Sequence, residues 1–202
     1  MNEKKVIGLT GTYCAGKNHV ASFFEKQGIP VLDVDKLGHQ VIEAEKERLV
    51  IRFGSDILNP GGFVDRKRLG ARVFGKPEEL AALEEIIHPA ANRETLSWIG
   101  GRKEKTCVIN AALLHRSHAF AIMDAVIIVE APFLIRLLRA RRRDRLSWPN
   151  LLRRFRSQNT FSSQYYKGKT DIYRVENSGF FGFVRNKPEK RIDEIFSLEG
   201  IV

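Results

Sequence analysis

The segment Gly11-Thr12-Tyr13-Cys14-Ala15-Gly16-Lys17-Asn18 constrains this chain more than any other stretch of its length. It follows a short apolar run, Val6–Thr10, and precedes Asn18–Gln27, where Val20, Ala21, Phe23 and Phe24 fall at helical spacing. A strand, a glycine-bounded loop ending in lysine and a helix, in that order, form a phosphate-binding turn. Glycines at both ends let the backbone curl until its N–H groups point inward. The positive end of the helix then adds to their pull on phosphate oxygens. Gly11, Thr12, Cys14, Ala15, Gly16 and Lys17 are therefore candidate contacts to nucleotide phosphates, with Lys17 as a mobile charge for the β- and γ-phosphates.

Asn18 stands where this motif carries Ser or Thr, whose hydroxyl reaches Mg²⁺. Its amide oxygen is a hard donor placed one bond further out, which makes Asn18 a weak candidate metal ligand. His19 reads as a solvated first-turn residue or as one more phosphate contact. Cys14 reads as a small loop-filling residue or, with Lys17 nearby, as a thiol of lowered pKa.

Downstream, short apolar runs alternate with amphipathic ones. Ile29–Val34, Cys107–Asn110, Ala125–Glu130 and Ile172–Val175 read as strands; Phe133–Arg143, with Leu134, Leu137 and Leu138 on one face, and Pro188–Leu198 read as helices. Ala125–Glu130 is β-branched and nearly all apolar, as a parallel strand buried on both faces should be. The alternation predicts an α/β fold, a parallel five-stranded sheet between helical layers. The stretch from Glu43 to Arg102 breaks the rhythm. It is helical in pattern, with turn signals at Asn59-Pro60-Gly61-Gly62 and Gly75-Lys76-Pro77, and reads as a helical insertion. His88, before Pro89, is expected to end a helix there. A second excursion is the basic stretch Arg136–Arg156.

Asp33-Val34-Asp35 closes the second strand. If the strand continues through them, alternation puts both carboxylates on one side, beyond the strand end where open α/β sheets bind ligands. One could take the proton of an attacking hydroxyl and one could hold a metal ion through water. The alternative is that Asp35 caps the next helix.

Composition narrows the class. The 202 residues carry 34 Lys+Arg against 24 Asp+Glu, a formal charge of +10. That suits polyanionic small molecules as well as nucleic acid. Two cysteines, Cys14 and Cys107, exclude a disulfide scaffold, and with His115 and His118 they give a zinc site little support. No apolar run reaches the roughly 18 residues of a membrane span, and no signal peptide is visible, so a soluble cytoplasmic protein is expected. The run Arg139, Arg141, Arg142, Arg143, Arg145, continued by Arg153, Arg154 and Arg156 with Phe155 and Phe161, reads as a phosphate lid, a solvated face or a nucleic-acid patch. Leu151, Leu152 and Phe155 at helical spacing read as packing residues.

Taken in order, VIGLTG and GK at 6–17, GIPVLDVD at 28–35, FGSDIL at 53–58, VDRKRL at 64–69, LEEIIHP at 83–89, RxDRLS within 142–147, Gln158 and ENSG at 176–179 resemble the dephospho-coenzyme A kinase family. The resemblance covers about residues 6 to 180. It implies a P-loop NTP hydrolase-type three-layer fold, with a core at about 1–42, 103–138 and 168–202. A helical acceptor-binding insertion would occupy about 43–102 and an arginine-rich lid about 139–167. It implies transfer of the γ-phosphoryl group of ATP, with Mg²⁺, to the 3′-hydroxyl of dephospho-coenzyme A. By the same resemblance Asp35 would be the base, with Asp33 close by, and residues 14–19 would cradle the ATP phosphates. Arg143 would meet the transferring group, Arg154 and Gln158 would lie near the nucleotide, and Asn177 would line the adenine pocket. Arg66, Leu69, His88, Pro89 and Leu113 would contact the acceptor. ATP and dephospho-coenzyme A are the implied partners of a monomer or weak homo-oligomer, with no nucleic acid and no membrane. The chain departs from the family pattern at Asn18, at Ala112-Leu113-Leu114-His115-Arg116, where a proline and a glutamate are replaced, and at Asn92-Arg93, where an arginine is shifted. Other readings are a different small-molecule P-loop kinase, or a relative that binds nucleotide or RNA without turnover.

Overall fold

The computed structural model describes residues 4–112, 114, 118–156, 170–179 and 188–200. Contacts divide the chain into two compact units, one of residues 1–32 and 102–202, the other Asp33–Gly101. The second begins earlier in the chain than the insertion expected at about 43–102.

The five strands are β1 (Lys5–Gly11), β2 (Val31–Asp33), β3 (Thr106–Asn110), β4 (Ala125–Glu130) and β5 (Asp171–Glu176). They form one sheet in the order β2-β3-β1-β4-β5. The pairs β1–β3, β1–β4 and β4–β5 are parallel, with Ile7 opposite Val108 on one side and Ala125 on the other. All residues of β3 are buried, its polar ends Thr106 and Asn110 included, and so are Ala125–Val129 of β4, as an unbroken apolar strand requires.

Both faces of the sheet are covered. On one face Ile7, Leu9, Val108, Ile127 and Val129 pack against helices α1 (Lys17–Lys26) and α8 (Pro188–Glu199). Phe24 of α1 meets Phe196 of α8 with ring centroids 5.1 Å apart. On the other face the segment after β3 lies so close that a Cβ on Gly8 would sit 2.5 Å from the Leu114 side chain and 2.6 Å from Met123. Glycine at that strand position is a packing requirement.

In the same unit, α6 (Phe133–Asp144) and α7 (Trp148–Arg156) form a hairpin whose small core is Ala140, Leu151 and Phe155, with Leu137 and Leu146. Of the expected apolar face of α6 only Leu137 packs inward; Leu134 and Leu138 are exposed. Leu152 of α7 is likewise exposed, while Leu151 and Phe155 are buried.

The second unit contains α2 (Val34–Ala44), α3 (Lys46–Phe53), α4 (Arg66–Val73) and α5 (Pro77–Gly100). Leu49, Phe53, Ile57, Val64, Leu69, Val73 and Ile86 make its core. The Asn59 side chain accepts from the N–H groups of Gly61 (2.9 Å) and Phe63 (3.2 Å), closing the turn that the sequence signalled. Asp65 caps α4 by accepting from Lys67 N–H at 2.8 Å and Arg68 N–H at 3.3 Å, and Pro77 opens α5.

Two expectations fail here. The second strand stops at Asp33, so alternation does not put Asp35 beside it; Asp35 lies in the first turn of α2. The cap of that helix is Asp33, whose carboxylate accepts from Lys36 N–H at 3.1 Å. The helix expected to end at His88 continues through Pro89 to Gly100. An internal proline costs about 3 kcal/mol through its missing N–H and its ring. Packing of α5 against α2, α3 and α4 outweighs that cost.

Gly38 of α2 has open space around the position of a Cβ. Gly38→Ala is therefore expected to stabilise the protein by about 0.5–1 kcal/mol, and Gly8→Ala to destabilise it by about 1–3 kcal/mol through overpacking. Urea unfolding followed by circular dichroism checks both signs.

Candidate active site

The loop between β1 and α1 is shaped by what its backbone must avoid and what holds it. At Gly11 a Cβ would lie 2.6 Å from the Val129 carbonyl oxygen, because Thr12 N–H donates to that oxygen at 3.1 Å. Gly16 has φ +95°, and a Cβ there would lie 2.2 Å from the Asn177 amide nitrogen. Cys14 also has positive φ, 59°, a conformation that costs a side chain of this kind about 1 kcal/mol or more. Gly16 offers α1 no side-chain acceptor, and no acidic residue sits in the first turn, so the helix itself brings no carboxylate to that positive end.

Turning N–H groups inward turns carbonyls outward, and those need donors. The Ala15 carbonyl has two: Arg139 of α6 at 3.0 Å and the Asn177 amide at 2.8 Å. Arg139 also donates to the Gly179 carbonyl at 2.9 Å, and Asn177 N–H donates to the Glu130 carbonyl at 2.8 Å. One arginine and one asparagine thus tie the loop to α6 and to the segment after β5. Asn177 is 4% exposed and engaged with Ala15, so it braces the loop, a role separate from the adenine-lining position that the resemblance implied.

The remaining loop residues differ in what they can offer. Lys17 opens α1 and is half-buried. His19 packs edge-on against Phe23 at 4.8 Å, and its N–H donates to the Gly16 carbonyl at 2.9 Å. Its backbone donor is therefore spent within the helix turn rather than held for a phosphate. Burial pushes the Cys14 thiol up, against the lowered value expected from Lys17. The Asn18 amide oxygen accepts from the Asn110 side chain at the end of β3, 3.2 Å away. The other end of that amide, Asn110 Oδ1, is buried with no partner among the described residues, and so is Thr12 Oγ1. A cavity of about 480 Å³ opens beside the loop at the ends of β1, β4 and β5, lined by Thr12, Glu130, Ala131, Pro132, Arg136, Arg174 and Glu176. This is the strand end at which open α/β sheets bind ligands.

The arginine run is divided by partner. Arg139 serves the loop, and Arg141 lies over the Trp148 ring at 5.4 Å. Arg143 pairs with Asp144 at 2.7 Å and lies 5.2 Å over the Tyr13 ring. Arg154 reaches Asp144 at 3.1 Å and the Tyr13 hydroxyl at 3.3 Å. Asp144, held ionised by Arg143, has its carboxyl lowered to about 2. Phe155 is buried in the hairpin, which suits packing and not base stacking. Phe161 and Gln158 lie outside the described residues, as do Leu113 and His115. Among the described residues no group of three or more His, Cys, Asp or Glu is placed to hold a metal ion, and no helix is long and apolar enough to cross a membrane.

In the second unit, Asp35 and Arg66 are exposed and His88 is half-buried. Arg66 donates to His39 Nε2 at 2.6 Å, and His39 lies one helical turn beyond Asp35 on α2. The structure thus brings Arg66 to the face of α2 that carries Asp35. The Leu69 side chain is buried in the unit's core. Pro89 is exposed on α5.

Sequence reading missed Tyr13, Asn110, Asp144 and His39 as site residues, and took Arg139 as part of a phosphate lid without its bond to the loop. Two carried a signal. Arg139 sits one turn before Arg143, and Asp144 is the only acid in Arg136–Arg156.

Comparison with known proteins bears on the whole chain. The family model described as dephospho-CoA kinase matches residues 5–179. The dephospho-CoA kinase of Halalkalibacterium halodurans is 34% identical over 183 residues, covering 86% of this chain and 88% of that one. That of Shouchella clausii is 35% identical over 179 residues, covering 86% and 89%. The crystal structure of TT1252 from Thermus thermophilus superposes with a TM-score of 0.81 at 27% identity, covering 98% of both chains. A dephospho-CoA kinase from Campylobacter jejuni shares the fold, with a TM-score of 0.63 at 21% identity over 96% of this chain and 97% of that one. A phosphate loop braced by Arg139 and Asn177 at the end of a parallel sheet, in a chain matched from residue 5 to 179, belongs to the dephospho-CoA kinase family.

Proposed function

We propose that this chain transfers the γ-phosphoryl group of ATP to the 3′-hydroxyl of dephospho-coenzyme A, the last step of coenzyme A synthesis. The observation that carries the ATP half is the phosphate loop, whose Ala15 carbonyl is drawn outward by two donors at the open positive end of α1. The Thr12 and Ala15 N–H groups hold the loop's own shape through the Val129 and Thr12 carbonyls. A loop fixed in this way offers its other N–H groups without reorganising when phosphate arrives, which is the source of electrostatic preorganisation.

Gly11, Thr12, Cys14, Ala15, Gly16 and Lys17 hold the phosphates, with Lys17 following the charge of the β- and γ-groups. Arg143 and Arg154 meet charge that develops on the transferring group. Asp35 takes the proton of the attacking hydroxyl. It is exposed in the first turn of α2, where a hydroxyl can reach it. Asp33 fixes the start of α2 and thereby the position of Asp35. Arg66, held on the same helix face through His39, supplies a cation for the acceptor's phosphates, with His88 and Pro89 on α5.

The residues present fit Mg²⁺. Asn18 offers a neutral hard oxygen, and the unpartnered buried oxygen of Asn110 beside it is an acceptor for a metal-bound water. Asn18 would hold the ion, with Asp33 acting through water. When bound, the ion neutralises phosphate charge. Both cysteines are free, which suits a reducing cytoplasm, where the protein acts as a monomer or weak homo-oligomer.

The test is ADP release from ATP and Mg²⁺ with and without dephospho-coenzyme A. Acceptor-dependent release is expected, and Asp35→Asn should lower it by about 100-fold or more. A wild-type protein that binds ATP but releases no ADP on addition of the acceptor would refute the reading. Gly16→Ala, which forces a side chain into Asn177, is expected to abolish nucleotide binding in calorimetry. Asn18→Thr is expected to lower the Mg²⁺ concentration for half-maximal rate, measured by titration with the metal.

A further inference from the structure

The sequence singled out Lys17 and the glycines of the phosphate loop, and the proposed reaction uses them. Tyr13, in the same loop, remains without a role, yet three charged side chains, Arg143, Asp144 and Arg154, meet it. The Arg143 guanidinium lies 5.2 Å from its ring centroid and that of Arg154 lies 5.6 Å from it. Its hydroxyl donates to the Asp144 carboxylate and accepts from Arg154 at 3.3 Å. Its ring edge meets Phe155 with centroids 5.1 Å apart, and Phe155 in turn meets Phe133 at 5.2 Å. Tyr13 and Cys14 are the loop residues that pack on the hairpin core of Ala140, Leu151 and Phe155.

The arrangement has a physical logic. Arg143 and Arg154 carry two positive charges, and Asp144 supplies one negative charge between them. Two flexible guanidinium side chains brought to one carboxylate repel each other, and the ring that both lie over draws them to the same place. An aromatic face attracts cations without neutralising them. Burial and the bond to Asp144 push the Tyr13 phenol up, so it stays protonated and keeps its donor on the carboxylate. An aliphatic residue at position 13 would still pack on Phe155, but it would offer nothing to the arginines.

We propose that Tyr13 is a positioning residue whose ring holds Arg143 and Arg154 at the phosphate loop before nucleotide binds, so that both guanidinium groups are already at hand for the phosphates. The inference rests on the proposed reading only in taking a nucleotide polyphosphate as the ligand of this loop. In the protein without nucleotide, Asp144 occupies the guanidinium fork of Arg143, with Arg143 Nε at 2.7 Å from one oxygen and a terminal nitrogen at 3.3 Å from the other. Phosphate oxygens are the natural competitors for that fork. Through Tyr13 the arginines stay near the loop while this exchange of anions takes place, and binding does not have to order them first.

The experiment is calorimetric titration of the full-length protein with Mg-ATP and, separately, with inorganic tripolyphosphate, which needs no acceptor and no adenine pocket. Two ring-less variants, Tyr13→Leu and Tyr13→Gln, are expected to weaken tripolyphosphate binding roughly tenfold, the combined loss of two exposed cation–π contacts. Tyr13→Phe keeps the ring and is expected to bind like wild type. In the Arg143→Ala background Tyr13→Leu should cost clearly less than it does in the wild-type background, because part of what the ring holds has gone. In turnover the loss should fall on kcat/KM for ATP, with the KM for the acceptor unchanged. If Leu and Gln bind as wild type, if Phe binds as weakly as Leu, or if the Tyr13 and Arg143 effects simply add, the inference is overturned. Should the leucine variant fail to fold by circular dichroism, the Gln and Phe pair carries the same comparison. A wild-type protein that shows this pattern of binding but no acceptor-dependent ADP release would refute the proposed acceptor and leave the role of Tyr13 standing.

Discussion

The Ala15 carbonyl is the small point on which the nucleotide side of this molecule turns. A phosphate loop requires its N–H groups to face the ligand, and the carbonyl displaced by that requirement is met by Arg139 and Asn177. Those two residues come from α6 and from the segment after β5, so the loop conformation records the correct assembly of three separate stretches of chain. The glycine at position 16 follows from the same contact, since the Asn177 amide occupies the space a side chain would need.

The second unit is organised differently. Asp33 closes β2 and caps α2 with one carboxylate, so the end of a strand and the start of a helix are set together. Asp35 and His39 then occupy one face of α2, and Arg66 comes to that face from α4. The long α5 runs beneath without interruption. Its proline is tolerated because three other helices pack along it, which is a tertiary effect overriding a local one.

Much of this was legible in the residues. The apolar runs located all five strands, and Ala125–Glu130 was bounded correctly because a strand buried on both faces has no polar interruptions. The glycine-bounded loop was read from spacing alone. What stayed hidden was whatever depends on long-range partners. Alternation suggested that Asp33 and Asp35 share a side, but the strand ends where Asp33 finds a helix N–H to cap. For Cys14 the sequence left a loop-filling residue and a thiol lowered by Lys17 as alternatives, and burial against the α6–α7 hairpin, which pushes the thiol up, favours the first. Leu69 was read as an acceptor contact from its place in a motif, while its apolar side chain belongs to the core. Arg139 was read as part of a lid and Asn177 as part of a family segment, and their shared hold on the Ala15 carbonyl became visible only in the fold.

The strand order also dictates when the sheet can be built. The first strand made, β1, lies in the middle of the sheet, and its ladders run to residues 106–110 on one side and 125–129 on the other. During synthesis it therefore waits, apolar and unpaired, while more than half of the chain is still to be made. Pairing at such sequence separation carries a large loop-closure cost and makes folding slow. The helices between Asp33 and Gly101 draw their core from their own stretch and have no such delay. The phosphate loop, though encoded almost at the start of the protein, is among the last features to be completed, because its brace ends at Gly179.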